Sequence, residues 1–224
     1  MKLKLNARKI RNVLLALFIL PYFLVLIYAV VPPISIPVIS SFITFNNVKW
    51  SWVSADSITD NFYRAAISAE DQKFCIHNGV DWKSLSTVIN RVSKAGDYSY
   101  GGSTINMQIT KNLFLWPLPK VIRKPLEIPL ALWADLVWSK KRSLQIYANI
   151  AQFGDGIYGV EAASKAFFMK PASALTTQEA SLLAAILPNP EGRNPAKPKP
   201  YVSYYAAKIR GQMYKIDASC LKAR

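Results

Sequence analysis

The sequence predicts a mainly α-helical domain carried on one N-terminal membrane-spanning helix. Three observations predict this class: a long apolar run near the N-terminus, helical periodicity over most of the remaining chain, and almost no alternating strand pattern. The chain has 224 residues, of which 51% are hydrophobic, so it is long enough for one compact domain and too apolar for intrinsic disorder.

The membrane helix is predicted at 13–31, where every residue is apolar or aromatic and Pro21 is the one helix-breaking residue. A helix of this length just spans a hydrocarbon layer of about 30 Å. The alternative is a cleaved signal peptide, whose apolar core is usually about 7–15 residues. Because the run is longer and continues into Pro32 without a small-residue cleavage site, we predict an uncleaved anchor.

The charges before the span predict its orientation. The basic residues there, with no acid among them, are Lys2, Lys4, Arg8, Lys9 and Arg11. The positive-inside rule makes 1–12 a cytoplasmic basic tail and puts the domain outside. Subtracting these five charges from the net charge of +15 leaves +10 outside the membrane. This charge indicates anionic head groups or a phosphate-bearing lipid rather than nucleic acid, the alternative being a generically basic exoplasmic protein.

Between the anchor and the helical domain, 32–56 is rich in β-branched and aromatic residues but has no period. A strand, a second membrane-dipping element or a stalk fits this composition. We predict a membrane-proximal stalk at 32–56, the domain at 57–217 and a C-terminal tail at 218–224.

Capping residues and prolines predict where the helices of the domain begin. The predicted starts are Asp60, Asp81, Ser103 or Thr104, Pro125, Ser139, Val160, Thr176 and Tyr201. Thr176 and Glu179 form a capping-box pattern. Pro125 suits a first helical turn, and Pro129 is expected to kink the helix that follows.

Few cysteines and histidines limit the chemistry. With two cysteines and one histidine, the chain lacks a disulfide-rich scaffold, a zinc ribbon and the metalloprotease pattern His-Glu-x-x-His. Cys75 is predicted to be a packed thiol, and a disulfide with Cys220 is the alternative in an oxidising periplasm. We predict that His77 forms structural hydrogen bonds.

Glu70 and Asp71 are adjacent carboxylates at the predicted C-terminal end of a helix. The helix dipole disfavours each of them there by about 0.3–1 kcal/mol, and their mutual repulsion raises one pKa. This pattern favours a general base, although two solvated acids are the alternative.

Two segments are candidates for binding an anion. Residues 101–104, Gly-Gly-Ser-Thr, open a helix whose face carries Gln108 and Lys111. Arg123 and Lys124 precede Glu127 and suit phosphate oxygens, the alternative being a basic surface patch. Lys140, Lys141 and Arg142 are predicted to lie on a membrane-facing or solvated surface.

Four motifs follow one another in the order and spacing of one enzyme family. In this chain their residues are Glu70, Asp71, Phe74, His77 and Gly79; Gly101, Gly102, Ser103, Thr104, Gln108, Lys111 and Asn112; Arg123, Lys124 and Glu127; and Tyr147, Asn149, Phe153, Gly154, Gly159, Glu161 and Lys170. Over about 60–215 the chain resembles the peptidoglycan glycosyltransferases of family 51. Its length and single anchor resemble the monofunctional members.

The resemblance implies a lysozyme-like helical fold with a membrane-associated lobe. It also implies polymerisation of lipid II into β-1,4-linked glycan strands, with release of undecaprenyl pyrophosphate, in the periplasm at the bacterial inner membrane. Implied partners are lipid II, the growing strand, the membrane, and cell-wall synthesis or division proteins. No cofactor is obligatory, and a divalent cation, Mg or Mn, is an optional one.

By resemblance, Glu70 is the general base and Glu127 the second essential glutamate. The residues implied in substrate binding are Asp71, Phe74, His77, Gly102, Ser103, Thr104, Gln108, Lys111, Asn112, Arg123 and Lys124. Lys111, Arg123 and Lys124 are expected to stabilise the pyrophosphate charge.

Three residues depart from the family pattern. Met107 stands at a usual glutamine, Asp135 at a usual glutamate, and Pro119 at a frequent arginine. Two other functions stay open: a glycan-cleaving lysozyme-like enzyme and a catalytically weak scaffold of a cell-wall complex.

Overall fold

The computed structural model describes residues 7–44, 47–95 and 102–221, with the backbone alone at 92–95. Gly101, the start of the basic tail and the last residues of the C-terminal tail lie outside these ranges. The helices are α1 Ala7–Tyr28, α2 Ile36–Ile43, α3 Asp60–Glu70, α4 Trp82–Ala95, α5 Ile105–Thr110, α6 Lys120–Val137, α7 Lys140–Ile150, α8 Val160–Phe168, α9 Thr177–Ile186 and α10 Pro200–Gln212. The strands are β1 Lys49–Trp50, β2 Gln152–Gly154 and β3 Ile157–Tyr158. The mainly helical class predicted from the sequence is confirmed.

Helix α1 has the length and composition of a membrane span. It contains 22 residues, an 18-residue stretch has a mean hydropathy of 2.3, and most of its apolar side chains are exposed. It begins six residues before the predicted span, because helical backbone continues into the basic flank.

The C-terminal half of α1 is fixed to the domain through its backbone carbonyls. Trp133 Nε1 donates to Tyr22 O at 3.0 Å, and Trp138 Nε1 donates to Val25 O at 2.8 Å. Arg142 Nε donates to Tyr28 O at 2.9 Å, where carbonyls at a helix end lack intrahelical partners. Arg142 therefore caps the anchor helix at the end of the predicted membrane span.

The predicted stalk at 32–56 is joined to the domain by hydrogen bonds. β1 pairs in parallel with β3, and β2 pairs with β3 in an antiparallel ladder. Trp50 Nε1 donates to Asn149 O at 2.9 Å, and Ser41 Oγ lies 2.8 Å from Tyr158 Oη. The segment thus contains a short helix, α2, and a short strand, β1, that pack on the body of the molecule.

The core of the domain is built around α9. Every side chain from Ala180 to Ile186 is buried, and α9 packs against α3 and α10. The predicted capping box is present, since Thr176 accepts from Glu179 N and Glu179 accepts from Thr176 N. Thr59, rather than the predicted Asp60, is the N-cap of α3, because its side chain accepts from Asn61 N.

Helix α6 begins at Lys120, so the prediction that Pro125 lies in its first turn is wrong. Both Pro125 and Pro129 lie inside the helix. An internal proline lacks an N–H donor and costs about 3 kcal/mol in a soluble helix. The buried face of α6, with Leu130, Ala131 and Ala134, packs against α5 and offsets that cost.

Cys75 and Cys220 form a disulfide, so the prediction of a packed thiol is wrong and its alternative holds. The Cα atoms lie 5.4 Å apart although 145 residues separate the two cysteines in sequence. The bond ties the loop after α3 to the end of the described chain.

Reduction of this disulfide is expected to lower the stability of the folded protein. Cross-linking so long a loop restricts the unfolded chain, typically by about 2–4 kcal/mol, which corresponds to roughly 5–15 °C in Tm for a chain of this size. Thermal unfolding with and without reductant measures the effect. The Cys75→Ser/Cys220→Ser variant is the control and should unfold at the reduced Tm in both conditions. Equal Tm values for the oxidised and reduced wild type would contradict the prediction.

Candidate active site

A cleft of about 760 Å³ brings together seven of the thirteen predicted site residues. They are Glu70, Ser103, Gln108, Lys111, Arg123, Lys124 and Glu127. Although these residues are distant in sequence, α3, α5 with the residues on either side of it, and α6 carry them to one place. These seven residues thus bring two carboxylates and three cations together.

Smaller cavities extend the cleft on two sides. One, of about 280 Å³, shares Glu70 with the cleft and is lined by Asp71, Gly102 and Thr104. The other, of about 250 Å³, shares Gln108 and Lys111 with the cleft and is lined by Asn112. These cavities thus place four further predicted site residues, Asp71, Gly102, Thr104 and Asn112, beside the cleft.

Glu70 is the last residue of α3, and its carboxyl group is largely desolvated. Burial raises its pKa, and the adjacent Asp71 charge adds to this rise. The hydrogen bond from Gln108 Nε2 to Glu70 Oε2, at 2.7 Å, and the charge of Lys111 act in the opposite direction but do not cancel it. Oε1 of Glu70 has no hydrogen-bond partner among the described residues. This oxygen is buried, and no group of the described protein engages its lone pairs.

Asp71 differs from its neighbour because its carboxylate is fully engaged. His77 Nε2 lies 2.9 and 3.0 Å from its two oxygens, and Ile105 N donates to Oδ2 at 3.0 Å. Asp71 thus ties the loop after α3 to the first turn of α5. His77 has the structural hydrogen-bonding role predicted for it.

Phe74 and His77 lie behind the cleft rather than on its wall. Phe74 is fully buried, and the side chain of His77 is only 9% exposed. Lys140 Nζ donates to His77 O at 2.6 Å and lies 4.8 Å from the Phe74 ring centroid. The burial of both residues differs from the substrate-contacting role that the resemblance implies. The contacts of Lys140 also correct its own prediction, because this side chain binds the loop after α3 instead of facing the membrane or solvent.

The loop after α3 approaches α6 at a glycine. Gly79 has φ +74°, and a Cβ atom there would lie 2.5 Å from Ala131 O. Thr104 Oγ1 donates to Gly79 O at 2.6 Å and accepts from Met107 N. Thr104 therefore caps α5, as predicted, and holds the loop in place.

Glu127 is buried, with 1% of its side chain exposed, and is held between two cations. Arg123 Nε lies 2.6 Å from Oε1, and Lys124 Nζ donates to Oε2 at 2.5 Å. Lys124 Nζ also donates to Ser103 Oγ at 2.5 Å. Because α6 begins at Lys120, the spacings of three and four residues place these side chains on one helix face.

Lys111 supplies a third positive charge. It begins a π-helical turn, Lys111–Leu115, that continues α5. Burial lowers its pKa, and the nearby Arg123 charge lowers it further, while Glu127 opposes the shift. Lys111 forms no ion pair with a carboxylate in the described part of the chain, so its charge is directed to the cleft rather than neutralised.

The three residues that depart from the family pattern each have a structural role: one packs in the interior, one accepts hydrogen bonds and one caps a helix. Met107 is fully buried and packs with Val80 and Ala131. Asp135 accepts from Lys140 Nζ at 2.6 Å and from Asn106 Nδ2 at 3.0 Å. Pro119 is the N-cap residue of α6.

No three histidine, cysteine or acidic side chains converge as metal ligands within 7–44, 47–95 and 102–221. Both oxygens of Glu127 already face cations. Within these ranges, the described residues alone therefore do not supply three such protein ligands for the optional divalent cation.

One part of the cleft wall, formed by α10 and the loop before it, was not predicted from the sequence. Arg193, Tyr201 and Tyr205 line the cleft there. Closely spaced tyrosines at 201, 204 and 205 were the feature of the sequence that could have indicated a binding surface. The sequence of an amphipathic helix, however, does not show which of its faces lies against a cleft formed by distant segments.

Glu70→Gln is expected to raise the stability of the protein at neutral pH. Because the pKa of Glu70 is raised in the folded state, the folded protein still binds a proton at pH values at which the unfolded chain has lost it. The free energy of unfolding therefore falls as pH rises above the pKa of Glu70 in the unfolded chain. Gln removes this cost and still accepts the hydrogen bond from Gln108. At pH 7.5 the Tm should rise by roughly 2–4 °C for each kcal/mol of desolvation cost that the substitution removes. This gain in Tm should disappear at pH 4.

Glu179→Gln is the matched control for this titration. Burial raises the pKa of Glu179, but hydrogen bonds from Lys170 and Thr176 outweigh it and leave the pKa below its ordinary value. The control should therefore lose stability at pH 7.5. A Glu70→Gln variant less stable than wild type at pH 7.5 would contradict the desolvation of Glu70.

Comparison with known proteins agrees with these motifs. A family model described as Transglycosylase matches residues 38–214. The chain is 45% identical over 204 residues to a biosynthetic peptidoglycan transglycosylase of Rhodopseudomonas palustris (strain HaA2), covering 89% of this chain and 90% of the relative. For proteins of the same name, identity is 45% in Brucella suis biovar 1, covering 90% of both chains, and 43% in Agrobacterium fabrum, covering 86% of this chain and 85% of the relative. The chain therefore belongs to the transglycosylase family.

Proposed function

We propose that this chain polymerises lipid II into β-1,4-linked glycan strands, with release of undecaprenyl pyrophosphate, in peptidoglycan synthesis. One observation carries the proposal: a desolvated carboxylate with an unpartnered oxygen, Glu70, shares a cleft with a cluster of cations. A base and an anion-binding cluster are the two elements that displacement of a pyrophosphate requires.

The reaction joins two sugars at the Glu70 end of the cleft. Glu70 accepts the proton of the acceptor 4-hydroxyl as the hydroxyl oxygen bonds to C1 of the donor. The bond between C1 and the pyrophosphate oxygen breaks, and its electron pair leaves on the pyrophosphate. Because pyrophosphate is already a good leaving group, no strong general acid is needed.

Lys111, Arg123 and Lys124 stabilise the departing negative charge. Cations fixed in advance, in a poorly solvated cleft, stabilise developing charge without reorganisation during the reaction. Glu127 fixes Arg123 and Lys124 through its two carboxylate oxygens. Glu127 therefore acts as a positioning residue for the two cations.

We also propose that the domain lies in the periplasm at the inner membrane, where lipid II is anchored. The basic flank of α1 supports this orientation. Apolar side chains exposed on α2 and the start of α6, including Phe42 and Val121, support contact with the bilayer near the cleft. The disulfide fits an oxidising compartment. The interaction of this chain with cell-wall synthesis or division proteins remains a prediction.

Removal of the base or of one cation is expected to abolish most of the activity. Glu70→Gln should lower polymerisation of labelled lipid II by about 100-fold or more, because a general base contributes that much. Lys111→Ala should lower it by about 100-fold, as for other groups that stabilise transition-state charge. The products are resolved by size and tested for digestion by lysozyme.

Lys208→Ala is the control, since Lys208 is an exposed lysine of α10 that does not line the cleft. It should retain wild-type activity. Full activity in folded Glu70→Gln protein would contradict the general-base assignment.

The pH dependence of polymerisation should report the state of Glu70. As a base, Glu70 must be unprotonated, so the rate falls as pH decreases through its pKa. Gln108→Leu removes a hydrogen bond that lowers this pKa. The acidic limb of the rate profile should therefore move to higher pH.

Gln178→Leu, an exposed glutamine of α9, is the control and should leave the limb in place. An acidic limb that stays unchanged in Gln108→Leu would contradict the coupling between Gln108 and Glu70.

A further inference from the structure

A buried tyrosine, Tyr147, lies beside the cleft. It belongs to α7, which packs against α5, and only 2% of its surface is exposed. Tyr147 lines the cavity of about 250 Å³ that shares Gln108 and Lys111 with the cleft. The proposed reaction does not use this residue.

The hydroxyl group of Tyr147 bonds to Gln108. Tyr147 Oη donates to Gln108 Oε1 at 3.5 Å, and within 7–44, 47–95 and 102–221 this is its one hydrogen-bond partner. A hydroxyl group in the interior of a protein is costly unless it is hydrogen-bonded. The bond therefore gives the buried phenol a fixed direction, toward the amide oxygen of Gln108.

The phenol of Tyr147 stays protonated. Burial raises its pKa well above the ordinary tyrosine value, and the nearby charges of Glu70 and Asp71 raise it further. Tyr147 is therefore a neutral donor, and it acts on its neighbours through hydrogen bonding rather than through charge.

Two hydrogen bonds in series orient the amide group of Gln108. An ionised carboxylate only accepts hydrogen bonds, so the amide nitrogen of Gln108 faces Glu70 and donates to Oε2 at 2.7 Å. The amide oxygen then faces Tyr147 and accepts from its hydroxyl group. A donor on the oxygen polarises the amide and strengthens donation from its nitrogen. Through Gln108, the Tyr147 hydroxyl group thus favours the ionised form of Glu70.

The end of α7 that carries Tyr147 is fixed by the segment before α3. Val53 N donates to Asn149 Oδ1 at 2.8 Å, and Asn149 Nδ2 donates to Val53 O at 3.1 Å. Trp50 Nε1 also donates to Asn149 O at 2.9 Å. These bonds lie two residues from Tyr147, so its hydroxyl group projects from a fixed part of the backbone.

We propose that Tyr147 is a positioning residue, which holds the amide group of Gln108 in the orientation that donates to Glu70. The proposal rests on the proposed function and extends it to a residue outside the reacting groups. Tyr147 bonds to Gln108 and not to Glu70, so its effect on the base passes through Gln108 alone.

Titration of Glu70 by NMR tests the proposal without any reaction. Tyr147→Phe removes one oxygen atom and keeps the buried ring. In full-length, carboxyl-labelled protein in detergent, the Glu70 signal should titrate at higher pH in Tyr147→Phe than in wild type. The shift should be smaller than in Gln108→Leu, because the bond from Gln108 is weakened rather than lost. The double variant Gln108→Leu/Tyr147→Phe should titrate as Gln108→Leu does, since Tyr147 acts through Gln108.

Tyr63→Phe is the matched control. Tyr63 is also buried, its hydroxyl group donates to Ala55 O at 3.2 Å, and it does not line the cleft. This variant should leave the Glu70 titration at its wild-type pH, and thermal unfolding should show every variant folded. An unchanged Glu70 signal in Tyr147→Phe, or a further shift on adding Tyr147→Phe to Gln108→Leu, would overturn the proposal.

The pH profile of lipid II polymerisation tests the positioning role during the reaction. On the acidic limb, Tyr147→Phe should lower the rate by roughly two- to fivefold, the lower part of the range for one neutral hydrogen bond. At pH values above the limb, its rate should match that of wild type. An equal loss at every pH would indicate a structural role alone and overturn the proposal. If wild type forms no polymer but the NMR shift is present, the proposed function fails while the positioning of Gln108 by Tyr147 stands.

Discussion

Burial of the Glu70 carboxyl group is the constraint on which the rest of the site depends. A carboxylate removed from water is unstable unless nearby groups compensate for its charge. Gln108 and Lys111 provide limited compensation from α5 and the turn after it. Asp71 is bound by His77 and Ile105, so only one of the two adjacent carboxylates remains available in the cleft. The fold thereby separates two identical chemical groups into a reactive and a structural one.

Helix α6 links this chemistry to the membrane. Its N-terminal half carries Arg123, Lys124 and Glu127 in the cleft, and Trp133 in its C-terminal half donates to the backbone of α1. One rigid element therefore connects the anion-binding cluster with the anchor. This connection fixes the position of the cations relative to the anchor helix.

Local signals in the sequence predicted much of the fold but little of its long-range bonding. The capping residues Asp81, Ser139 and Thr176 and the membrane helix were predictable because they depend on neighbours within a few residues. The start of α6 was not, because packing against α5 outweighs the local preference of Pro125. The disulfide, the attachment of 32–56 to β3 and the cleft wall at Tyr201 join distant segments, and no local pattern encodes which segments meet. In the site, the motifs identified the residues of the cleft, whereas burial alone revealed that Phe74 and His77 support it from behind.

Direct titration of Glu70 tests the central claim most simply. Carboxyl-labelled protein, with Glu70→Gln used to assign the Glu70 signal, can be followed by NMR from pH 3 to pH 9 in wild type and in Lys111→Met. The Glu70 signal should titrate above the ordinary glutamate range, and still higher in Lys111→Met, because that variant loses a charge that stabilises the carboxylate. An ordinary pKa that does not respond to Lys111 would contradict a desolvated base facing a cationic cluster.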